Sequence, residues 1–160
     1  MSRFVFAVGV SLALVVQAGA LAQGRPDFSG TWKLNQSKSP TAAGNFAAMQ
    51  FASEIVVKQT ATEFHIARSS VRQQPLSASY PLDGSKVLVQ APTGISETGE
   101  ARFEGANLVI TSRRSFTSPL GETVLQLKEV WSVNGNVLTI EQTLTESGES
   151  STEKAVYDKV

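Results

Sequence analysis

The chain has 160 residues, 14 basic against 14 acidic side chains, one histidine and no cysteine. That balance excludes the basic footprint of a nucleic-acid binder and a strongly acidic surface. The absence of cysteine excludes disulfides, thiol chemistry, cysteine-based zinc sites and a lipid-modified cysteine.

Residues 1–22 read as a secretory leader: Arg3 near the start, an apolar run from Phe4 to Val16, then Ala20-Leu21-Ala22 as a small-x-small cleavage site. Cleavage is expected between Ala22 and Gln23. The apolar run falls short of the roughly 20 residues of a membrane span, so no stable span is expected once the leader is removed. Residues 23–160 suffice for one domain with a real core, and they carry one net negative charge because Arg3 leaves with the leader. An exported chain without disulfides depends on packing alone, which fits a periplasmic or secreted bacterial protein.

Beyond the leader, short β-branched and aromatic runs alternate with turn signals, the pattern of an antiparallel meander. Strands are expected at Gly30–Leu34, Glu54–Gln59, Glu63–Ser69, Ser77–Leu82, Lys86–Gln90, Thr98–Phe103, Asn107–Phe116, Glu122–Val133, Asn136–Thr145 and Ser150–Lys159. Residues 35–53 are the one place for a short helix, or equally a loop or lid. "APTGISE" at 91–97 is rich in turn residues and reads as a mobile connection. No internal repeat marks a solenoid or propeller.

Turn chemistry assigns register, and alternation then assigns faces. "VNGN" at 133–136, read with Asn134-Gly135 as a two-residue loop, pairs Val133 with Asn136. It sets Trp131 against Leu138, Glu129 against Ile140, Leu127 against Gln142 and Leu125 against Leu144. "ESGE" at 146–149 sets Leu138 against Tyr157, Ile140 against Ala155 and Gln142 against Glu153. One face then carries a row Trp131, Leu138, Tyr157, and the other a charged row Lys128, Glu141, Lys154. "EGAN" at 104–107 pairs Phe103 with Leu108 and Ala101 with Ile110, turning Arg114 inward. A tight turn at Ala61-Thr62 pairs Val57 with Ile66 and Gln59 with Phe64, which puts Arg68 inside and His65 outside, across from Lys58.

"FSGTWKL" at 28–34 resembles the Gly-x-Trp start of the calycin superfamily and is especially similar to the N-terminus of the fatty-acid-binding proteins. "AVYDKV" at 155–160 is similar to their closing strand. "YPLDG" at 80–84 and "WSVNGNVLTI" at 131–140 resemble uncharacterised secreted lipocalin-like proteins of bacteria. The resemblance implies an all-β, antiparallel up-and-down barrel of eight to ten strands around a cavity, with Trp32 packed under one end near Tyr157. In the fatty-acid-binding proteins an arginine and a tyrosine two residues apart on the last strand hold the ligand carboxylate; this sequence keeps Tyr157 but has Ala155 at the arginine position. A basic residue stacked on the tryptophan, as lipocalins have, would here be Lys154 or Lys159.

The expected inner face is apolar except for Arg68, Arg114, Glu129, Gln142 and Glu153. Buried charges must be paired, so Arg114 or Arg68 is expected either to pair with Glu129 or to orient a ligand. Arg114 with Gln142 and Tyr157 is the candidate anchor for a carboxylate or hydroxyl. The candidate ligand-binding residues are therefore Arg114, Glu129, Gln142, Tyr157 and Arg68. Catalysis has less behind it. His65 is expected on the surface, and no Gly-x-Ser-x-Gly, His-Glu-x-x-His, phosphate-cradling loop or two-histidine site occurs. No cofactor or metal is expected. The expected function is non-covalent binding of a small hydrophobic or amphipathic molecule. The alternatives are a filled envelope barrel acting through a protein surface and a hydrolase using Glu129 with Glu153.

Overall fold

In the computed structural model the described residues are 24–39, 51–70, 73–89, 91, 94–118 and 121–160. The expected leader and most of the 35–53 window lie outside them. Ten strands form one antiparallel sheet: β1 Gly30–Leu34, β2 Glu54–Gln59, β3 Glu63–Ser70, β4 Gln73–Pro81, β5 Val87–Leu88, β6 Ile95–Glu104, β7 Asn107–Ser118, β8 Gly121–Asn134, β9 Val137–Glu146 and β10 Glu149–Lys159. The order is β4-β3-β2-β1-β10-β9-β8-β7-β6-β5. Every neighbour is a sequence neighbour except β1 and β10, whose pairing through Trp32 with Lys159 and Leu34 with Tyr157 curls the sheet into a barrel. The sheet ends at β4 and β5, which leaves a seam between them.

The turn-derived registers hold for β2 with β3, β6 with β7 and β9 with β10. The β8–β9 register differs. Asn134 pairs with Val137, so the loop is Gly135-Asn136, with Gly135 at φ 57° and Asn136 without a positive φ. Glycine takes the first loop position, as in a II′ turn, rather than the second. Trp131 therefore faces Ile140 and Ala155, while Val133, Leu138 and Tyr157 form the neighbouring row. Glu129 faces Gln142, Leu127 faces Leu144, Leu125 faces Glu146, and Lys128 stands opposite Thr143 instead of Glu141. The displacement is even, so no side chain changes face.

Only β1 and β2 keep their expected bounds, and the largest changes fall in β4, β5 and β6. β4 starts at Gln73, β5 shrinks to two residues, and β6 begins at Ile95, which makes the last three residues of "APTGISE" strand rather than connection. β4 is built for an edge. The Leu82 N–H donates to the Thr62 carbonyl, and alternation from that pair turns the backbone nitrogens of Ser79 and Pro81 away from β3. A proline is accommodated where no N–H is needed, and it blunts the edge.

The core runs the length of the barrel through Trp32, Ile55, Phe64, Leu108, Trp131, Leu138, Ile140 and Tyr157. One end is plugged by Phe28 from the segment before β1. Its ring lies 6.0 Å from Phe64, 6.3 Å from Phe103 and 6.3 Å from Trp131, touching opposite walls at once. Its N–H donates to Gln59 Oε1 at 3.0 Å and its carbonyl accepts the Trp32 indole N–H at 2.9 Å. The Lys159 ammonium sits 5.1 Å from the Trp32 ring centroid, a cation–π contact. Lys159, not Lys154, thus covers the tryptophan. Gly30, at φ 138°, makes room for it: a Cβ there would lie 2.5 Å from Lys159 Cε.

Candidate functional site

Alternation along β3 sends Phe64, Ile66 and Arg68 into the lumen, and alternation along β8 does the same for Leu127, Glu129 and Trp131. β3 and β8 are far apart in the sheet order, so these side chains meet across the barrel. Arg68 makes a two-pronged pair with Glu129, Nη1 to Oε1 at 2.7 Å and Nη2 to Oε2 at 2.6 Å. The Trp131 indole N–H donates to Glu129 Oε2 at 3.0 Å. The Arg68 guanidinium lies 5.6 Å from the Trp131 ring centroid. Burial by itself pushes the Glu129 carboxyl up, but the Arg68 charge and the bonds from Arg68 and Trp131 outweigh it and hold the group below its usual range. Bidentate geometry is what makes such a pair tolerable inside a protein.

A second pair joins adjacent strands. Glu97 on β6 and Arg114 on β7 are register partners. Arg114 Nε donates to Glu97 Oε2 at 2.8 Å, and Nη2 lies 2.7 Å from the same oxygen. The Glu97 side chain is 8% exposed and that of Arg114 38%, so the carboxylate is interior and the guanidinium reaches water.

Between the two pairs lies a cavity of about 70 Å³, next to the seam. Its apolar wall includes Ile66, Leu76, Ala78, Val89, Ile110 and Leu127; its polar wall is Arg68, Ser77, Glu97, Ser112, Arg114 and Glu129, with Tyr80 between. Tyr80 crosses from β4 towards β6, where a Cβ on Gly99 would come within 2.8 Å of its ring. Burial pushes the Tyr80 phenol up to about 12, with the nearby Arg68 acting in the opposite direction. The phenol is thus a neutral donor at any ordinary pH.

Of the candidates read from the sequence, Arg68, Glu129 and Arg114 come together on this cavity. Gln142 and Tyr157 do not line it. Gln142 is buried between Glu129 and Glu153 on neighbouring strands, and the Tyr157 hydroxyl donates to the Ala52 carbonyl at 3.0 Å. Arg114 is therefore engaged by Glu97 rather than joined to Gln142 and Tyr157. Glu97 and Tyr80 escaped the sequence reading. Glu97 was within reach of it, because extending the Phe103–Leu108 register along β6 and β7 brings Glu97 opposite Arg114. His65 lies on the outer face, its Nδ1 2.6 Å from Ser79 Oγ and its Nε2 3.2 Å from Glu63 Oε2. Among the described residues no group of three or more His, Asp or Glu side chains is placed to hold a metal ion, and no helix there is long and apolar enough to cross a membrane.

The ten-stranded, nearly closed antiparallel barrel has the fold seen in solved structures of fatty-acid-binding-protein-like barrels. Solved structures with this fold include a secretary abundant heat soluble (SAHS) protein from Ramazzottius varieornatus, at 16% identity and a TM-score of 0.55, with 83% of this chain and 95% of that one covered. Zebrafish ileal bile acid-binding protein complexed with cholic acid matches at 12% identity and 0.57, covering 83% and 98%. The fluorescent protein UnaG matches at 13% and 0.53, covering 83% and 97%. No protein-family model matches the sequence, and no curated protein matches it.

Proposed function

We propose that the protein is an exported barrel that binds a compact, partly apolar molecule non-covalently in the seam cavity, without a cofactor and without catalysis. The observation that carries this reading is the cavity itself. An apolar wall faces a few convergent polar groups, which is how small-molecule sites are built. A volume of about 70 Å³ is only a few times the roughly 10–15 Å³ that a single water needs, so the ligand has few heavy atoms. A structural neighbour is complexed with cholic acid, which supports interior binding as a use of this fold; a molecule that large needs more room than this cavity offers. Export rests on the leader pattern of residues 1–22. Acid–base hydrolysis is disfavoured by the pairing of Glu129 with Arg68 and by Gln142 standing between Glu129 and Glu153.

Native mass spectrometry of protein purified from its own host tests the proposal. A species heavier than the bare chain by one compact molecule is expected. Bare chain alone, with no rise in Tm on adding small alcohols, contradicts it. That result favours the second reading, an envelope barrel acting through its outer surface, for which the Phe28, Phe64, Phe103 and Trp131 filling of one end also speaks.

A further inference from the structure

The charged side chains lining the cavity, among the described residues, are two arginines and two glutamates, Arg68, Arg114, Glu97 and Glu129. Each cation is bonded to one of the anions, so the wall is polar but carries no surplus charge. We propose that this cavity selects uncharged or zwitterionic polar molecules and turns away simple carboxylates and amines. The proposal rests on the interior-binding reading above and adds the chemical class of the ligand.

The argument is electrostatic. An incoming carboxylate would share a guanidinium with a carboxylate already bound to it, and would leave one unmatched negative charge in a partly desolvated site. An incoming ammonium meets the mirror-image difficulty at Arg68 and Arg114. An uncharged hydroxyl or amide meets neither. A guanidinium has five N–H donors and a carboxylate about four acceptor positions, so one pairing leaves donors and acceptors side by side on the same wall. A hydroxyl can accept from one and donate to the other. A zwitterion can align its two charges antiparallel to a wall pair. Tyr80, held as a neutral phenol, adds a donor without adding charge.

The test compares three probes that share one short chain and differ in charge: butan-1-ol, butanoate and butan-1-amine, titrated at pH 7 into the protein purified from its own host. The readout is the indole N–H cross-peak of Trp131, which hydrogen-bonds Glu129 on the cavity wall. The alcohol is expected to bind at least about tenfold more tightly than either ion. Glu97→Gln, which removes one negative charge and keeps the shape, is expected to improve butanoate relative to the alcohol by about tenfold. Arg114→Gln is expected to do the same for the amine. Either ion binding as well as the alcohol to the unaltered protein overturns the selection rule and leaves interior binding standing. No response to any probe overturns interior binding, and the selection rule falls with it.

Discussion

At the scale of single residues, the barrel depends on charges whose partners lie on opposite walls. Glu129 is nearly buried while Arg68 keeps 30% of its side chain exposed, so Glu129→Gln strands a cation that still has some access to water. A loss of about 3 kcal/mol is expected, the lower end for breaking a buried pair, measured by urea unfolding at pH 7. The same pair gives stability a pH dependence of definite sign. The Glu129 carboxyl is held below its unfolded value near 4.5, so it contributes stability fully above about pH 5 and loses it as pH falls through the lower folded value. Acid unfolding of the unaltered protein should therefore begin at higher stability and fall more steeply below pH 5 than that of Glu129→Gln. Equal slopes would contradict the assignment. Gly30 is the other residue with a specific demand on it. At φ 138°, with Lys159 lying where a Cβ would go, Gly30→Ala should cost about 2 kcal/mol from backbone strain and displaced packing, measurable in the same denaturant experiment.

At the scale of elements, the hairpins show why part of the architecture could be read directly. The β9–β10 loop, Ser147-Gly148, has both residues at positive φ, a conformation that costs Ser147 more than Gly148, and the register read from its position holds. The β8–β9 loop carried the stronger-looking signal, Asn134-Gly135, but lies one residue further on with Gly135 as its first residue, which displaces the register by two. Faces survived that displacement, so Glu129 and Trp131 were still correctly inside; cross-strand partners did not. β6 was shortened in the reading because proline and glycine at 92 and 94 masked a strand beginning at Ile95, and Glu97 was lost with it. The Phe28 plug is a further element whose role is legible only in three dimensions. It caps the end where Phe64, Phe103 and Trp131 converge. Phe28→Ala should cost about 3–4 kcal/mol, as large-to-small core substitutions do, and should shift Trp131 emission to the red as water reaches the opened end. An unchanged spectrum and midpoint would mean that the plug contributes nothing.

At the scale of the whole molecule, the sequence offered Glu129 either Arg68 or Arg114 as a partner, and the fold selects Arg68. Alternation says which way Arg68 and Glu129 point, but not that β3 and β8 face each other. That follows from β1 meeting β10, which closes the sheet and leaves the seam between β4 and β5 as the flank of the cavity. The Gly-x-Trp start and the closing strand conveyed the type of barrel, and the stacked lysine followed from it. They did not convey the size of the cavity between the two ion pairs. The filled end, the pair bridging the lumen and the small cavity beside the seam are the features on which the proposal of a compact guest rests.

The most direct measurement fills that space. Ser112 lines the cavity on β7, and Ser112→Leu places an apolar side chain where a guest would sit. Titrating butan-1-ol into both proteins, with the Trp131 indole cross-peak as readout, should show saturable binding to the unaltered protein and at least a tenfold loss in the folded variant. Binding of equal strength in both, or in neither, would contradict a ligand site in the seam cavity.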